Sequence, residues 1–334
     1  MQFSLSEMRR RFVGSAPTLT GIAAPSGWRI REEAIMGTAI RVELWSEEPD
    51  EGEAALDAVM AEMHRIDCLL SPYKEHSELS RINREAAQHA VPVSAEVMRL
   101  LTRAVEFSRI SEGAFDITYA SLGHLFDYRQ GLRPSDAAAA QAREAIGWRH
   151  LILDPAARTI RFAMQGVRID LGGFAKGHAV DNCIAILERQ GITRAIVAAG
   201  GDSRVIGDRR GRPWTIAIRD PRRSDGVVAV LPLEKVSIST SGDYERYFEE
   251  GGVRFHHLID PRTGQSPSGV RSVTILAPDG LTSEALSKTV FVLGAKRGFE
   301  IVNSLPDVDA VVVDAEGVLR FSPGLMHGAS ARLQ

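Results

Sequence analysis

The chain has 334 residues, of which 44% are hydrophobic and 25% are charged, as in soluble globular proteins. Its formal net charge of −3 offers no basic surplus, so we expect no nucleic-acid partner. The cysteines, Cys68 and Cys183, match no metal-ligand spacing, and no apolar run approaches the ~18 residues that an integral membrane helix needs.

The N-terminal segment, residues 1–28, is treated apart from the fold. Arg9, Arg10 and Phe12 form an R-R-x-F pattern that resembles a twin-arginine export signal. The alternative is a flexible basic tail, because Pro17 and several hydroxyl residues interrupt the apolar stretch. We therefore expect a periplasmic protein, with a cytoplasmic one as the alternative, and a single domain over residues 29–334.

The first half of the chain shows both strand and helix patterns. Residues 38–45 alternate apolar with charged side chains and predict a half-buried strand, whereas residues 52–70 place apolar side chains at helical spacing. Residues 69–83 break that spacing at a proline and predict a long loop. Residues 92–113 suit a helix with Ser94 as its N-cap.

The second half is richer in strands. Residues 150–170 predict a hairpin, residues 174–189 and 283–293 predict helices, and residues 308–322 predict a final hairpin. Further strands are predicted over 194–199, 204–207, 214–219, 227–231, 235–239, 253–259 and 272–278. Because helices and strands do not alternate one for one and many turns are short, we predict an α+β fold with largely antiparallel sheets.

The stretch RIDLGGFAKGHAVD, residues 168–181, joins a strand to a helix through Gly172-Gly173. Backbone N–H groups at such a helix start can receive a phosphate. Lys176 lies in the first helical turn, where a cation is unfavourable against the helix dipole unless an anion is bound. The pattern is equally compatible with an ordinary strand-to-helix turn that carries a solvated lysine.

Three other stretches leave similar alternatives. Asp202 follows a glycine pair in AAGGDSRVIG, residues 198–207, and could hold a ribose hydroxyl or a metal, although a hairpin turn is slightly favoured. The hydroxyl groups of SISTSGDYERYF, residues 237–248, could bind phosphate oxygens or act as ordinary caps. Tyr73 could stack on a flat ring, although a solitary surface tyrosine is commonplace.

The order of the motifs is more specific than any one of them. FHHLIDPRTG, residues 255–264, concentrates two histidines, an aspartate and an arginine that core packing does not need. From about residue 35 onward, the chain resembles the ApbE family of FAD:protein FMN transferases. The resemblance rests on MGT (36–38), SPY…SELSRIN (71–83), GAFDIT (113–118), DLGG-x-AKG-x-AVD (170–181), GGD (200–202), TSGDYERY (240–247), HLIDPRTG (257–264) and SVTILAP…EALSKTVFVLG (272–294).

The resemblance implies two lobes around a flavin cleft and a defined reaction. Members of the family bind FAD, usually with Mg²⁺, cleave its pyrophosphate, move FMN onto a threonine hydroxyl of a target flavoprotein and release AMP. His257 is then implied as the general base, a task that suits an imidazole. Asp260 and Arg262 are implied to shape the site. His256 is expected to be a neighbour, because adjacent strand residues point to opposite faces.

Further roles follow from the resemblance, one position at a time. Tyr73 is implied to stack on the isoalloxazine, with Met36 nearby, and Asp116 to line the cofactor cleft. The carbonyl group of Ala175 is implied as a metal contact. Nucleotide, flavin or phosphate contacts are also implied for Asp170, Lys176, Asp181, Ser241, Gly242, Asp243, His257 and Arg262.

The chain departs from the family pattern at its last metal-binding stretch, which commonly reads D-A-L-x-T. Here Glu284 stands in place of the aspartate and Lys288 in place of the threonine. Mg²⁺ prefers about six oxygen ligands, so Glu284 remains a candidate ligand while Lys288 supplies none. A Glu284–Lys288 ion pair could fill the space. Lys288 then either replaces the cation in catalysis, or metal-dependent catalysis is lost and FAD binding is retained. A one-residue slip would make Thr289 the ligand.

We therefore predict an enzyme that transfers FMN from FAD to a threonine of a partner protein. One alternative is a protein that binds FAD as a maturation or redox accessory without transferase activity. Another is a pyrophosphatase that hydrolyses FAD to FMN and AMP.

Overall fold

The computed structural model describes residues 27–223 and 225–325, so the predicted export motif lies outside the described residues. Within those residues, the density of contacts defines two compact units. The first contains the described parts of Met1–Asp67, Ala175–Thr240 and Thr274–Glu284, and the second contains those of Cys68–Phe174, Ser241–Val273 and Ala285–Gln334. The single domain expected over residues 29–334 stays a prediction.

The helices and strands are labelled in chain order. The helices are α1 (Pro49–Leu70), α2 (Glu78–Glu85), α3 (Ala95–Ile110), α4 (Ala120–Gly123), α5 (Asp136–Arg143), α6 (Ala175–Arg189) and α7 (Gly280–Asn303). The strands are β1 (Trp28–Ile35), β2 (Thr38–Trp45), β3 (Val91–Pro92), β4 (Leu151–Asp154), β5 (Thr159–Phe162), β6 (Ala195–Ala199), β7 (Asp202–Ile206), β8 (Trp214–Arg219), β9 (Val227–Leu233), β10 (Val236–Gly242), β11 (Tyr247–Glu250), β12 (Val253–His256), β13 (Val270–Ala277), β14 (Asp309–Asp314) and β15 (Leu319–Phe321).

The first unit is built on an antiparallel sheet. β1, β2, β6, β7 and β10 lie in this order, and each is hydrogen-bonded to the next. Alternate side chains of β2 point into the core, so Ile40, Val42 and Leu44 are fully buried. α6 contacts β6 and β7 and buries one face that includes Val180 and Leu187. The packing of α6 against β6 and β7 therefore fixes the start of α6 relative to the β6–β7 turn.

The second unit combines helices with short antiparallel sheets. β3, β5 and β4 form a three-stranded sheet in that order, and β11–β12 and β14–β15 are antiparallel pairs. α3 begins after Ser94, whose hydroxyl accepts a hydrogen bond from the Val97 N–H, as predicted. The rings of Phe107, Phe115 and Phe174 meet with centroids 5.6 to 6.1 Å apart and form an aromatic core.

The α+β class with antiparallel sheets is confirmed, but some local predictions are wrong. Residues 78–83 belong to α2 rather than to a loop, because Ser77 caps the helix and Leu79 and Ile82 are buried on one face. The strand predicted over 253–259 ends at His256. In the described residues, no helix has the length and apolar character needed to cross a membrane.

Candidate active site

Lys176 lies between two acidic side chains of the first unit. It occupies the first turn of α6, and its Nζ is 2.6 Å from Asp202 Oδ2 and 2.5 Å from Glu284 Oε1. The Lys176 side chain is 24% exposed, whereas those of Asp202 and Glu284 are 4% and 0% exposed. We call these three residues the lysine–carboxylate cluster. Its two carboxylates supply the anions that a lysine at a helix start requires.

The cluster is held in place by further hydrogen bonds. Ser239 Oγ donates to Asp202 Oδ1 at 2.5 Å, and Gly177 N donates to Glu284 Oε2 at 2.7 Å. Burial by itself lowers the pKa of Lys176, but the attraction of Asp202 and Glu284 and the hydrogen bonds to both raise that pKa well above its ordinary value. Lys176 is therefore an ammonium ion throughout the physiological pH range.

The β6–β7 turn brings Asp202 to the lysine. Gly200 and Gly201 form this turn, and Ala199 pairs with Asp202 across it. A Cβ atom on Gly201 would lie 2.7 Å from the carbonyl oxygen of Thr240, so this close backbone approach requires glycine. The hairpin interpretation of this stretch is confirmed.

Asp181 anchors the start of α7 in the same unit. Its carboxylate accepts hydrogen bonds from Gly280 N at 2.8 and 2.9 Å and from Leu281 N at 3.2 Å, and Arg204 Nη1 lies 2.6 Å away. A carboxylate at a helix N-terminus satisfies N–H groups that have no partner within the helix. Because Glu284 lies one turn further along α7, Asp181 helps to orient it. The implied contact of Asp181 with a nucleotide stays a prediction.

Met36 lies at the tip of the β1–β2 hairpin. Met36 and Gly37 have φ angles of 54° and 68°, the pair of positive values that a type I′ hairpin turn needs. A methionine in this region of backbone space is uncommon. The flavin contact implied for Met36 stays a prediction.

His257 follows β12 in the second unit. Its backbone N–H donates to the carbonyl oxygen of Arg246 at 3.1 Å. Burial, followed by the positive charges of Arg246, His256 and Lys288, lowers the pKa of His257 to about 3. Its buried Nδ1 has no hydrogen-bond partner among the described residues. At neutral pH the ring is therefore an uncharged imidazole that can accept a proton.

His256 makes the contacts of a packing residue. Its Nε2 lies 2.9 Å from the carbonyl oxygen of Pro267, and its ring meets the ring of Phe291 edge-on with centroids 5.5 Å apart. Its backbone N–H donates to Ser266 Oγ at 3.0 Å. These contacts hold the end of β12, and the expected role of His256 as a neighbour of the general base stays a prediction.

Lys288 lies close to the glycine pair that precedes α6. A Cβ atom on Gly173 would meet Lys288 Cε at 3.5 Å, so the alkyl chain of the lysine passes over this turn. The Gly172 N–H already donates to Asp170 Oδ1 at 2.6 Å. The second unit therefore places Lys288 beside the predicted phosphate-binding turn and near enough to His257 to lower its pKa.

The hydroxyl groups of Ser287 and Thr289 belong to the same segment of α7 as Lys288. Ser241 Oγ, predicted near the phosphates, lies 2.9 Å from Ser287 Oγ, and both residues are buried. Thr289, the alternative metal ligand, donates its hydroxyl proton to the carbonyl oxygen of Ala285 at 2.9 Å. This bond within the helix is common for threonine and gives no support to a shifted alignment.

Asp260 and Arg262 shape the turn that follows His257. The Asp260 carboxylate accepts hydrogen bonds at 2.9 Å from the Arg262 N–H and from both sides of its guanidinium group. The Asp260 carbonyl oxygen also accepts a hydrogen bond from Gly264 N at 2.7 Å. Such a two-point ion pair rigidifies the IDPRTG turn.

The remaining predicted residues of the second unit differ in exposure. Tyr73 is 90% exposed, as a stacking platform requires. Asp116 is buried and accepts hydrogen bonds from Thr118 N at 2.9 Å and from Trp148 N at 2.6 Å, so it joins its own loop to the segment that contains Trp148. Burial raises the pKa of Asp116, although these hydrogen bonds oppose that shift. Cofactor contacts of Tyr73 and Asp116 stay predictions.

The TSGD segment has a restricted backbone. A Cβ atom on Gly242 would lie 2.2 Å from a ring carbon of Tyr244, so a larger residue would displace that ring. Asp243 is buried, and its carboxylate lies 3.7 Å from Arg254 Nη1. The flavin contacts implied for Gly242 and Asp243 stay predictions.

Sequence reasoning missed the partners of two central residues. It considered Asp202 for a ribose or a metal but did not pair it with Lys176, and it did not single out Arg246 beside His257. Separation along the chain hid the partners of Lys176, because it lies 26 positions from Asp202 and 108 from Glu284. The only available signal was the unfavourable placement of a lysine at a helix start.

Comparison with known proteins agrees with this architecture. The sequence model of the ApbE family matches residues 36–312. The chain is 31% identical over 332 residues to the FAD:protein FMN transferase of Treponema pallidum, with 92% of each chain covered. It is 33% identical over 260 residues to that of Haemophilus influenzae, with 75% of each covered. The crystal structure of the ApbE protein from Thermotoga maritima has a TM-score of 0.82 at 33% identity and covers 90% of this chain and 98% of its own.

A family match over most of the chain, relatives matched over 75% and 92% of their own length and a common fold define a protein of the flavin transferase type. The chain belongs to the ApbE family.

The donor set of the first unit does not fit the Mg²⁺ that the family implies. Mg²⁺ needs about six oxygen ligands near 2.1 Å. Both oxygens of Glu284 instead accept hydrogen bonds, from Lys176 Nζ and Gly177 N, and Asp202 is bound by the same lysine. Across residues 27–223 and 225–325, no group of three or more His, Cys, Asp or Glu side chains could hold a metal. We therefore assign no step to a metal.

The depressed pKa of His257 predicts a pH-dependent stability. The ordinary histidine pKa is 6.5 and the value in the folded protein is about 3, so between these limits the unfolded state binds the proton and the folded state does not. The free energy of unfolding should therefore fall as the pH falls from about 6.5 towards 3, by up to ~1.4 kcal/mol per pH unit from this group. Urea unfolding of the wild type and of His257→Gln at several pH values checks this.

The free energy of unfolding of His257→Gln should depend less steeply on pH than that of the wild type. His89→Gln is the matched control, because His89 is exposed and its replacement should leave the slope unchanged. Equal slopes for the wild type and His257→Gln would show that His257 protonates freely in the folded protein.

Proposed function

We propose that the chain transfers FMN from FAD to a threonine hydroxyl of a target protein and releases AMP. The relatives named FAD:protein FMN transferases support this activity. The observation that carries the proposal is His257, an uncharged imidazole with an unpartnered Nδ1 among the described residues, at the start of the HLIDPRTG motif. A neutral imidazole is the form that can take a proton from an attacking hydroxyl group.

The reaction exchanges one bond at phosphorus. The threonine oxygen forms a bond to the phosphorus of the FMN half, and the bond from that phosphorus to the bridging oxygen of the diphosphate breaks. The electron pair of the broken bond leaves with AMP. His257 accepts the hydroxyl proton and later returns it to the AMP phosphate or to water. Lys288 provides positive charge in the same unit, which stabilises the charge that develops on phosphate oxygens.

The low pKa of His257 has two kinds of cause, burial and nearby positive charge. A general base works best when its pKa lies near the working pH. The cations that lower this pKa, Arg246 and Lys288, are the groups that a bound diphosphate would neutralise. FAD binding would therefore remove the part of the pKa depression that these cations cause, whereas the larger part, caused by burial, would remain.

The test is incubation of the purified chain with FAD and a protein substrate that carries a flavinylation motif. We expect the intact mass of the acceptor to increase by one FMN group, with an equal amount of AMP released. Replacing the acceptor threonine by valine should prevent both. AMP and free FMN formed at an undiminished rate without acceptor would indicate a pyrophosphatase, and FAD uptake without either product would indicate an accessory protein.

We also propose that the protein acts in the periplasm. The support is the R-R-x-F pattern of Arg9, Arg10 and Phe12, which resembles a twin-arginine signal. Cell fractionation of the full chain and of a version in which Arg9 and Arg10 are lysine tests this. Retention of both in the cytoplasm would contradict the proposal.

A further inference from the structure

The lysine–carboxylate cluster is a buried, hydrogen-bonded network rather than a surface ion pair. Glu284 is fully buried and Asp202 is 4% exposed, and each binds Lys176 Nζ through one oxygen. The second oxygen of each carboxylate is held separately, by Ser239 Oγ and by Gly177 N. Each carboxylate is thereby held by one further hydrogen bond, with its other oxygen 2.6 Å (Asp202) or 2.5 Å (Glu284) from Lys176 Nζ.

Two buried carboxylates that face one point need a cation there. Uncompensated, they would be strongly unfavourable in an environment of low polarity. A divalent metal and a lysine ammonium can each supply this charge, and a metal bound at the position of Lys176 Nζ would have to displace the ammonium group. The structure has the ammonium group, on a side chain that α6 delivers to this point.

We propose that Lys176 is the resident cation of this cluster and takes the place that a divalent metal would otherwise occupy. The chain would then hold FAD and transfer FMN without Mg²⁺; this catalytic half rests on the proposed function, whereas the cation-binding half does not. The inference differs from the expectation that Lys288 replaces the metal, because the contacts place Lys176 between the acids.

The first experiment measures binding of Mn²⁺ to the protein without FAD by electron paramagnetic resonance. We expect the wild type to bind no Mn²⁺ at this cluster. Lys176→Met should gain a site at least about ten-fold tighter than any in the wild type, because two carboxylates then face a vacant position. The double variant Lys176→Met/Glu284→Gln should lose that gain.

The second experiment measures FAD affinity by flavin fluorescence in EDTA and in excess Mg²⁺. The dissociation constants of the wild type should agree within about two-fold, and FMN transfer should continue in EDTA. This arm and the wild-type Mn²⁺ titration need no variant, so they remain decisive if Lys176→Met does not fold.

Two results would overturn the inference. One is a wild type that binds one Mn²⁺ per chain and loses it in Glu284→Gln. The other is FMN transfer that stops in EDTA and returns with Mg²⁺, which would leave the proposed function intact. Failure of transfer under all conditions would instead overturn the proposed function, and the Mn²⁺ titration would still decide the role of Lys176.

Discussion

Replacing His257 by glutamine should lower the rate of FMN transfer by about 10²–10⁴-fold while FAD affinity changes little. Glutamine keeps a polar side chain of similar reach but cannot accept the hydroxyl proton. The loss should appear in the rate constant with saturating FAD, since the general base acts on the acceptor during the chemical step. Single-turnover mass spectrometry of the acceptor measures it, and fluorescence titration measures FAD binding separately.

The matched control is His89→Gln. His89 is exposed and lies in no part of the candidate site, so its replacement should leave the rate within two-fold, which is about the error of the comparison. If His257→Gln transfers FMN at the rate of the wild type, His257 is not the general base. If His257→Gln fails to bind FAD, His257 contributes to FAD binding rather than to proton transfer.

Replacing Lys176 by methionine should destabilise the folded protein by about 3–5 kcal/mol at neutral pH. Methionine keeps most of the length of the side chain and removes its charge. Asp202 and Glu284 then remain as buried carboxylates without their cation. Urea unfolding followed by circular dichroism gives the free energies.

Two comparisons separate charge from packing in this prediction. Lys296→Met removes an exposed lysine of α7 and should change stability by less than about 0.5 kcal/mol. Adding Glu284→Gln to Lys176→Met should recover part of the loss, since one of the unpaired charges disappears. A loss below about 1 kcal/mol for Lys176→Met would mean that water, rather than the lysine, satisfies the two carboxylates.

Local structure followed from sequence wherever short-range chemistry decided it. Ser94 caps α3 as predicted because its hydroxyl needs only the N–H three residues later. The prediction failed for α2. A proline and a polar composition suggested a loop, whereas Leu79 and Ile82 are buried on one face of a helix. It also passed over β1, in which exposed Ile30 and charged neighbours obscure the alternation. Burial of one face decides α2, whereas antiparallel pairing with β2 along its whole length decides β1.

In the candidate site too, short-range features were predictable from the sequence and long-range ones were not. The HLIDPRTG motif identified His257 and the turn built by Asp260 and Arg262, because those residues are close together in the chain. The depressed pKa of His257 required the structure, since it arises from burial and from cations that the folded chain gathers around it.

The sequence by itself determined the family and the α+β class, because these depend on ordered motifs and short-range patterns, and it predicted His257 as the general base. Only the tertiary structure brought Lys176 to Glu284, across 108 positions of the chain. The ion pair of Glu284 with Lys288 stays a prediction. Coulombic attraction depends on distance in space and not on separation along the chain, so the contact of Lys176 with Glu284 could not be read from the order of residues.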